Sequence, residues 1–309
     1  MHSTATSTIA LDPKLAQSVH TAALDASAHH APATCLNCAH PVPDRYCGKC
    51  GQDAHHTHRL TIADMPHDIL HSIWHVDKGI LYTLKTMVRR PGATIRAYLA
   101  GKRVDHFRPL SLLFMITGLY ALLSSVLHIQ VLPPRDPNTP EAVWQMQQAS
   151  TGFMMKYLSW FYVASVPVWA LFARWFLRRG GYNYAECLII AAFITAICNF
   201  FALLYLPVMY TYSGTPQIAT SSMLFLLPIV GYTTWAYGSL LKHTGMSLAG
   251  RLWRGFMTYM LGYITCILVV VVTTYALNWS MFKQAMKQQI QQQQMQQAGA
   301  AKPAAPRSR

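Results

Sequence analysis

The chain has 309 residues, of which 52% are hydrophobic and 12% charged, with 25 Lys+Arg against 11 Asp+Glu for a formal charge of +14. A soluble domain carries roughly 25% charged residues, so this balance disfavours an ordinary soluble enzyme. The apolar content disfavours a disordered chain, and 7 cysteines are too few for a secreted disulfide scaffold. What remains is a membrane protein with basic edges.

Residues 1–34 are rich in Ala, Ser, Thr and His. They lack a positive start followed by an apolar run, so they read as a disordered segment and not as a signal peptide. The first chemical motif follows at 35–52. Cys35-Leu36-Asn37-Cys38 and Cys47-Gly48-Lys49-Cys50 are two CxxC knuckles separated by eight residues. Four thiolates in two such pairs suit tetrahedral zinc, the two-residue gap letting both sulfurs of a knuckle converge on one ion. Pro41 and Pro43 turn the connection, and Gly51 supplies a tight turn after the last cysteine; Ala39 holds the matching place in the first knuckle. A disulfide pair, a thioredoxin-type redox pair and an iron–sulfur centre compete. The reducing side of the membrane, the missing βαβ context and the closed four-thiolate set favour structural zinc in a minimal ribbon. His55, His56 and His58 read as surface loop residues.

Residues 62–109 form the basic approach to the membrane. Met65, Ile69, Ile73, Val76, Ile80, Leu84 and Met87 recur at spacings of three and four, which predicts a helix from Asp64 to about Arg90. Its apolar face and position predict an interfacial helix on an anionic leaflet. His67, His71 and His75 share one face and read as its polar edge. Pro91-Gly92 ends it, and a second helix over Thr94–Ala100 stops at Gly101. Residues 78–108 hold eight basic residues and one acid, a net +7. Arg89, Arg90, Arg96, Lys102, Arg103 and Arg108 are the expected contacts to lipid phosphates or an acidic partner. Nucleic acid is disfavoured because these charges adjoin a transmembrane segment.

These pieces together carry a resemblance. Cys35–Cys38, Tyr46-Cys47-Gly48-Lys49-Cys50-Gly51-Gln52, Arg90-Pro91-Gly92, Tyr98-Leu99-Ala100-Gly101-Lys102-Arg103 and Phe107-Arg108-Pro109-Leu110 resemble the DUF3667 family of uncharacterised bacterial membrane proteins over about residues 35–130. The resemblance implies a zinc ribbon on a multi-pass inner-membrane protein and supplies no activity.

Five windows in 110–282 are long and apolar enough for a bilayer core of about 30 Å: 110–130, 157–177, 187–206, 222–241 and 256–278. The flanking and connecting segments carry 11 basic residues on alternate sides against 2 on the others. That places the N-terminus in the cytoplasm and, with five spans, the C-terminus in the periplasm. Glu186 reads as an interfacial partner of Arg178 and Arg179, and Asn199 as an interhelical hydrogen bond. Pro167 and Pro228 read as kinks. The Gln-rich tail 283–309 extends the last helix before fraying.

The expected fold is thus an all-α membrane protein of about five spans, preceded by a four-cysteine zinc ribbon and an amphipathic helix. The expected function is a non-enzymatic adaptor, regulatory or assembly protein. The ribbon would dock a protein partner, the basic segment would meet anionic lipid, and self-association is allowed. A transporter or channel gated by the ribbon is the alternative. An enzyme is disfavoured because no P-loop, nucleophile elbow or HExxH motif is present, and His106 beside Arg103 and Arg108 is the only polar cluster that resembles a site.

Overall fold

The computed structural model describes residues 34–54, 59–61 and 79–300. Outside them lie the expected disordered segment up to residue 33, His55, His56 and His58, the first part of the amphipathic helix with His67, His71 and His75, and residues 301–309. The chain forms two compact units, Met1–Arg59 with Ala100–Val104, and Leu60–Leu99 with Asp105–Arg309. Among the described residues it is helical without strands, and the only ladder-type pairs are two isolated bridges in the ribbon.

The second unit begins with α1 (Gly79–Arg89), α2 (Pro91–Leu99) and α3 (Pro109–Val126). It continues with α4 (Glu141–Lys156), α5 (Leu158–Phe176), α6 (Tyr184–Thr211), α7 (Gln217–Leu240), α8 (Leu248–Leu277) and α9 (Trp279–Ala300). Prolines open α2 and α3, where a missing N–H costs nothing and φ is already helical. A capping box opens α6: Asn183 Oδ1 accepts from the Glu186 N–H (2.8 Å), and the Glu186 carboxylate accepts from the Asn183 N–H (2.7 Å). The Glu186 carboxylate therefore closes a helix start, a role the expected pairing with Arg178 and Arg179 did not include.

Helix α6 is the centre of the bundle, with α3, α5 and α7 against it and α8 against α5 and α7. Among the described residues, four helices are long and apolar enough to cross a membrane: α3, α6, α7 and α8. The fifth expected span, 157–177, forms as α5, but Trp160, Tyr162, Pro167, Trp169, Arg174 and Trp175 dilute its hydropathy. It nonetheless packs against α6 and α8. Its C-terminal carbonyl at Phe176 accepts from Arg254 Nη1 at the start of α8 (3.0 Å).

The connections α5–α6 and α7–α8 are built alike. Each helix ends in a 3₁₀ turn (Arg178–Gly180 and Lys242–Thr244), then a left-handed glycine (Gly181, φ 72°; Gly245, φ 69°), then an Asn or Ser cap (Asn183, Ser247). The two turns touch: Tyr182 Oη donates to the Leu240 carbonyl (3.0 Å), and its ring lies 6.4 Å from that of His243. The basic segments before α3, after α5 and after α7 thus meet at one end of this unit. At the other end the loops after α3 and α6 join through Gln130, whose N–H donates to Ser213 Oγ (2.8 Å).

The described part of the amphipathic helix differs from a helix lying free on lipid. Met87 and Thr83 of α1 are buried, and Ile80, Leu84 and Val88 pack against the bundle core, while Leu81 and Tyr82 stay exposed. Protein is the apolar surface nearest that face. The polar helix α4 and its contact with α9 were not anticipated.

Candidate metal centre and basic segment

The ribbon of the first unit is a twofold-repeated knuckle. In the first, the Cys35 N–H donates to the His40 carbonyl and the Ala39 N–H to the Cys35 carbonyl, each at 2.8 Å. In the second, the Cys47 N–H donates to the Gln52 carbonyl (2.9 Å) and the Gly51 N–H to the Cys47 carbonyl (2.8 Å). The bridges Thr34–Pro41 and Tyr46–Asp53 repeat the same offset, as do the buried pairs Cys35 with Cys47 and Val42 with Ala54. Both knuckles need a left-handed residue after the second cysteine. Gly51 (φ 75°) supplies it freely, and Ala39 (φ 58°) adopts it despite its Cβ.

This frame brings the Sγ atoms of Cys35, Cys38, Cys47 and Cys50 within 4.8 Å of one another. Cys35–Cys50 and Cys38–Cys47 approach to 3.5 Å each. Zinc–sulfur bonds of about 2.3 Å in a tetrahedron require sulfurs about 3.8 Å apart, so the set fits one metal ion with little adjustment. Backbone N–H groups of Cys50 and Lys49 point at Cys47 and push its thiol down to about 6, whereas burial pushes Cys50 up to about 12.

Gln52, 4% exposed, links this ribbon to the distal segment of the same unit. Its Nε2 donates to the Gly101 carbonyl (2.9 Å), and its Oε1 accepts from the Arg103 N–H (3.4 Å). Gly101 has φ 97°, ending α2 as expected and turning its carbonyl toward the amide. The sequence motif includes Gln52 but assigns it no role; its place immediately after the Cys-Gly pair, at the position of His40 in the first knuckle, was the signal that could have found one.

The six expected docking residues are placed differently from one another. Arg89, Arg90 and Lys102 are exposed, and Arg103 is half-buried. Arg108 stands at the N-cap of α3. Arg96 points into the bundle end, where its Nη1 donates to the Ser239 carbonyl in the last turn of α7 (2.6 Å). A guanidinium there completes a helix C-terminus that lacks its own donors. Gly92 makes this approach workable, because a Cβ at that position would overlap backbone atoms of Ser239. Tyr232 Oη donates to the Met87 carbonyl at the end of α1 (3.1 Å), so α1 and α2 are both stitched to α7.

His106 lies between Tyr82 and Tyr98, ring centroids 5.3 and 6.3 Å away, and burial holds its pKa below the usual histidine value. Asn199 does not make the expected bond to a neighbouring helix. Its Nδ2 donates to the Thr195 carbonyl of its own helix (2.9 Å).

Residues 77–121 match the model of a family described as "Protein of unknown function (DUF3667)". This is the family whose motifs the sequence resembles. The matched stretch covers α1, α2, the turn at Gly101 and most of α3, and it leaves the ribbon outside. No curated protein and no solved structure matches the chain.

Proposed function

We propose that this is a non-enzymatic membrane adaptor or assembly protein whose four-cysteine ribbon, loaded with structural zinc, docks a protein partner on the cytoplasmic side of a bacterial inner membrane. The observation that carries this reading is the pair of hydrogen bonds by which the Gln52 amide donates to the Gly101 carbonyl and accepts from the Arg103 N–H. It ties a rigid metal knuckle to the segment that connects α2 with α3, the helix that opens the apolar bundle. A closed four-thiolate site leaves no open coordination position, which suits docking better than metal chemistry.

The clustering of the basic connections at one end of the helical unit supports a topology with that end in the cytoplasm, five passes and a periplasmic C-terminus. The exposed Arg89, Arg90 and Lys102 are then the best placed groups for anionic headgroups, each worth about 1 kcal/mol near such a surface. Arg96, already bonded to Ser239, serves the fold.

The test is capture from membranes with the full-length protein. Replacing Cys47 and Cys50 by Ser abolishes zinc content and partner capture and leaves insertion intact. Gln52→Ala keeps zinc and weakens capture, because only the tether is lost. Loss of insertion in the cysteine variant, or undiminished capture without zinc, refutes the reading.

A further inference from the structure

We propose that the helical unit binds a neutral long-chain alcohol, an apolar chain ending in an uncharged hydroxyl, inside the bundle between the α5–α6 and α7–α8 hairpins. A cavity of about 460 Å³ lies there, lined by all four helices. That volume falls within the range of small-molecule sites. Its position between two similarly built hairpins is where repeat-built membrane proteins place ligands.

The lining is apolar and aromatic, with Tyr162, Tyr237, Phe225 and the stacked series Trp169, Tyr259 and Tyr263. It contains no Lys, Arg, His, Asp or Glu, and an ion brought there would be left without a counter-charge. Ser222 and Thr233, also in the lining, donate their hydroxyl protons to carbonyls of their own helix. Two fully buried side-chain atoms of the lining lack a partner among the described residues. Asn199, 2% exposed, donates from Nδ2 to the Thr195 carbonyl, which fixes the amide orientation and leaves Oδ1 without a partner among the described residues. Trp169, 9% exposed, has no acceptor there for Nε1–H. Its indole lies flat on Gly262 of α8, where any Cβ would overlap the ring.

A buried acceptor and a buried donor left open in one apolar cavity each carry a desolvation cost. A hydroxyl is the uncharged group that can serve either atom, donating to Asn199 Oδ1 or accepting from Trp169 Nε1–H once the side chain turns toward it. A carbonyl or an ether only accepts, from the indole or from the lining tyrosine hydroxyls, and leaves Asn199 Oδ1 without a donor. A carboxylate or phosphate brings charge to a lining with nothing to balance it. The occupant that fits is therefore an alcohol with a long apolar chain.

The test uses the full-length protein in nanodiscs and a photoreactive, clickable hexadecanol as probe. Peptide mapping places the label on lining residues of α5 to α8. Unlabelled farnesol and dioctanoylglycerol, both with a free hydroxyl, compete, and whichever competes better identifies an isoprenoid or a glyceride source. Hexadecyl methyl ether competes roughly tenfold more weakly, about one buried hydrogen bond, and hexadecanoate weakly as well. Asn199→Leu and Trp169→Phe each lower probe affinity by roughly the same factor, with the thermal midpoint unchanged or raised because an orphaned polar atom is gone. Gly262→Ala displaces the indole and lowers labelling. Equal competition by the alcohol and its methyl ether overturns the proposal on wild-type protein alone. So does full labelling in both Asn199→Leu and Trp169→Phe, or crosslinking of the lining to a second copy in place of the probe.

Discussion

Replacing Gly92 by Ala separates two explanations of the Arg90-Pro91-Gly92 motif. If the motif only breaks a helix at a membrane surface, Ala inside α2 gains up to about 1 kcal/mol from helix propensity. The structure gives the opposite sign. A Cβ on residue 92 would overlap the Ser239 backbone carbon and oxygen as well as its Oγ, and backbone at the end of α7 has little room to shift. Overpacking of this kind costs about 1–3 kcal/mol. Moving α2 outward also stretches the 2.6 Å bond from Arg96 to the Ser239 carbonyl, a charge-assisted bond worth about 1.5–3 kcal/mol. Arg96 is half-buried, so the lower end applies. After the propensity gain is subtracted, Gly92→Ala destabilises by roughly 1.5–3.5 kcal/mol.

The assay is equilibrium unfolding of the detergent-solubilised protein, followed by helical signal. Ser239→Ala fails to rescue, because the overlap is with backbone. Arg96→Met is destabilising alone and adds less than its full cost on top of Gly92→Ala, since both act on one contact. A neutral or stabilised Gly92→Ala, or full additivity with Arg96→Met, refutes the reasoning.

Ala39→Gly relieves a left-handed Cβ and stabilises the ribbon by about 0.5–1 kcal/mol, whereas Gly51→Ala costs a similar amount; zinc retention against a competing chelator reads both. Zinc affinity falls as pH drops. Metal binding at pH 7.5 must displace the proton that Cys50 holds up to about 12, and below about 6 the Cys47 proton must be displaced too. Titration calorimetry in two buffers of different ionisation enthalpy measures that release, and an affinity flat between pH 5 and 8 contradicts it. Asn183→Ala removes the cap of α6 together with the Nδ2 bond to the Leu60 carbonyl (3.1 Å) and costs about 1–2 kcal/mol in thermal stability, and Asn183→Asp rescues it only in part, because it keeps the cap acceptor and loses the Leu60 donor. Arg254→Met uncovers the Phe176 carbonyl at the end of α5 and lowers the unfolding midpoint, an effect absent for the exposed Arg178→Met.

Residues whose role is set by local spacing were legible before any coordinates. The four cysteines needed only the two-residue gap within each knuckle, and Gly101 needed only its position after a short helix. The apolar runs of α3, α6, α7 and α8 needed only length. Helix α5 was legible as a run but not as a weaker span, because Trp and Tyr suit a membrane interface yet score poorly as apolar residues. Roles set by tertiary contact were not legible. Arg96 and Arg90 are the same residue type six positions apart, and charge counting treats them alike. One caps α7 and the other faces outward, a difference decided by Gly92 drawing α2 against Ser239. Gln52 is likewise an ordinary polar residue until Gly101 and Arg103, some fifty positions later, supply its carbonyl and N–H. Asn199 shows the same limit from the other side. Its burial follows from the hydrophobic run around it, but that its amide turns to the Thr195 carbonyl of its own helix and leaves Oδ1 without a partner among the described residues is set by packing that the run does not specify. The strongest functional signals in this chain are therefore pairs of residues far apart in sequence, one polar and one glycine or carbonyl. A single sequence exposes such pairs only after the packing between them is known.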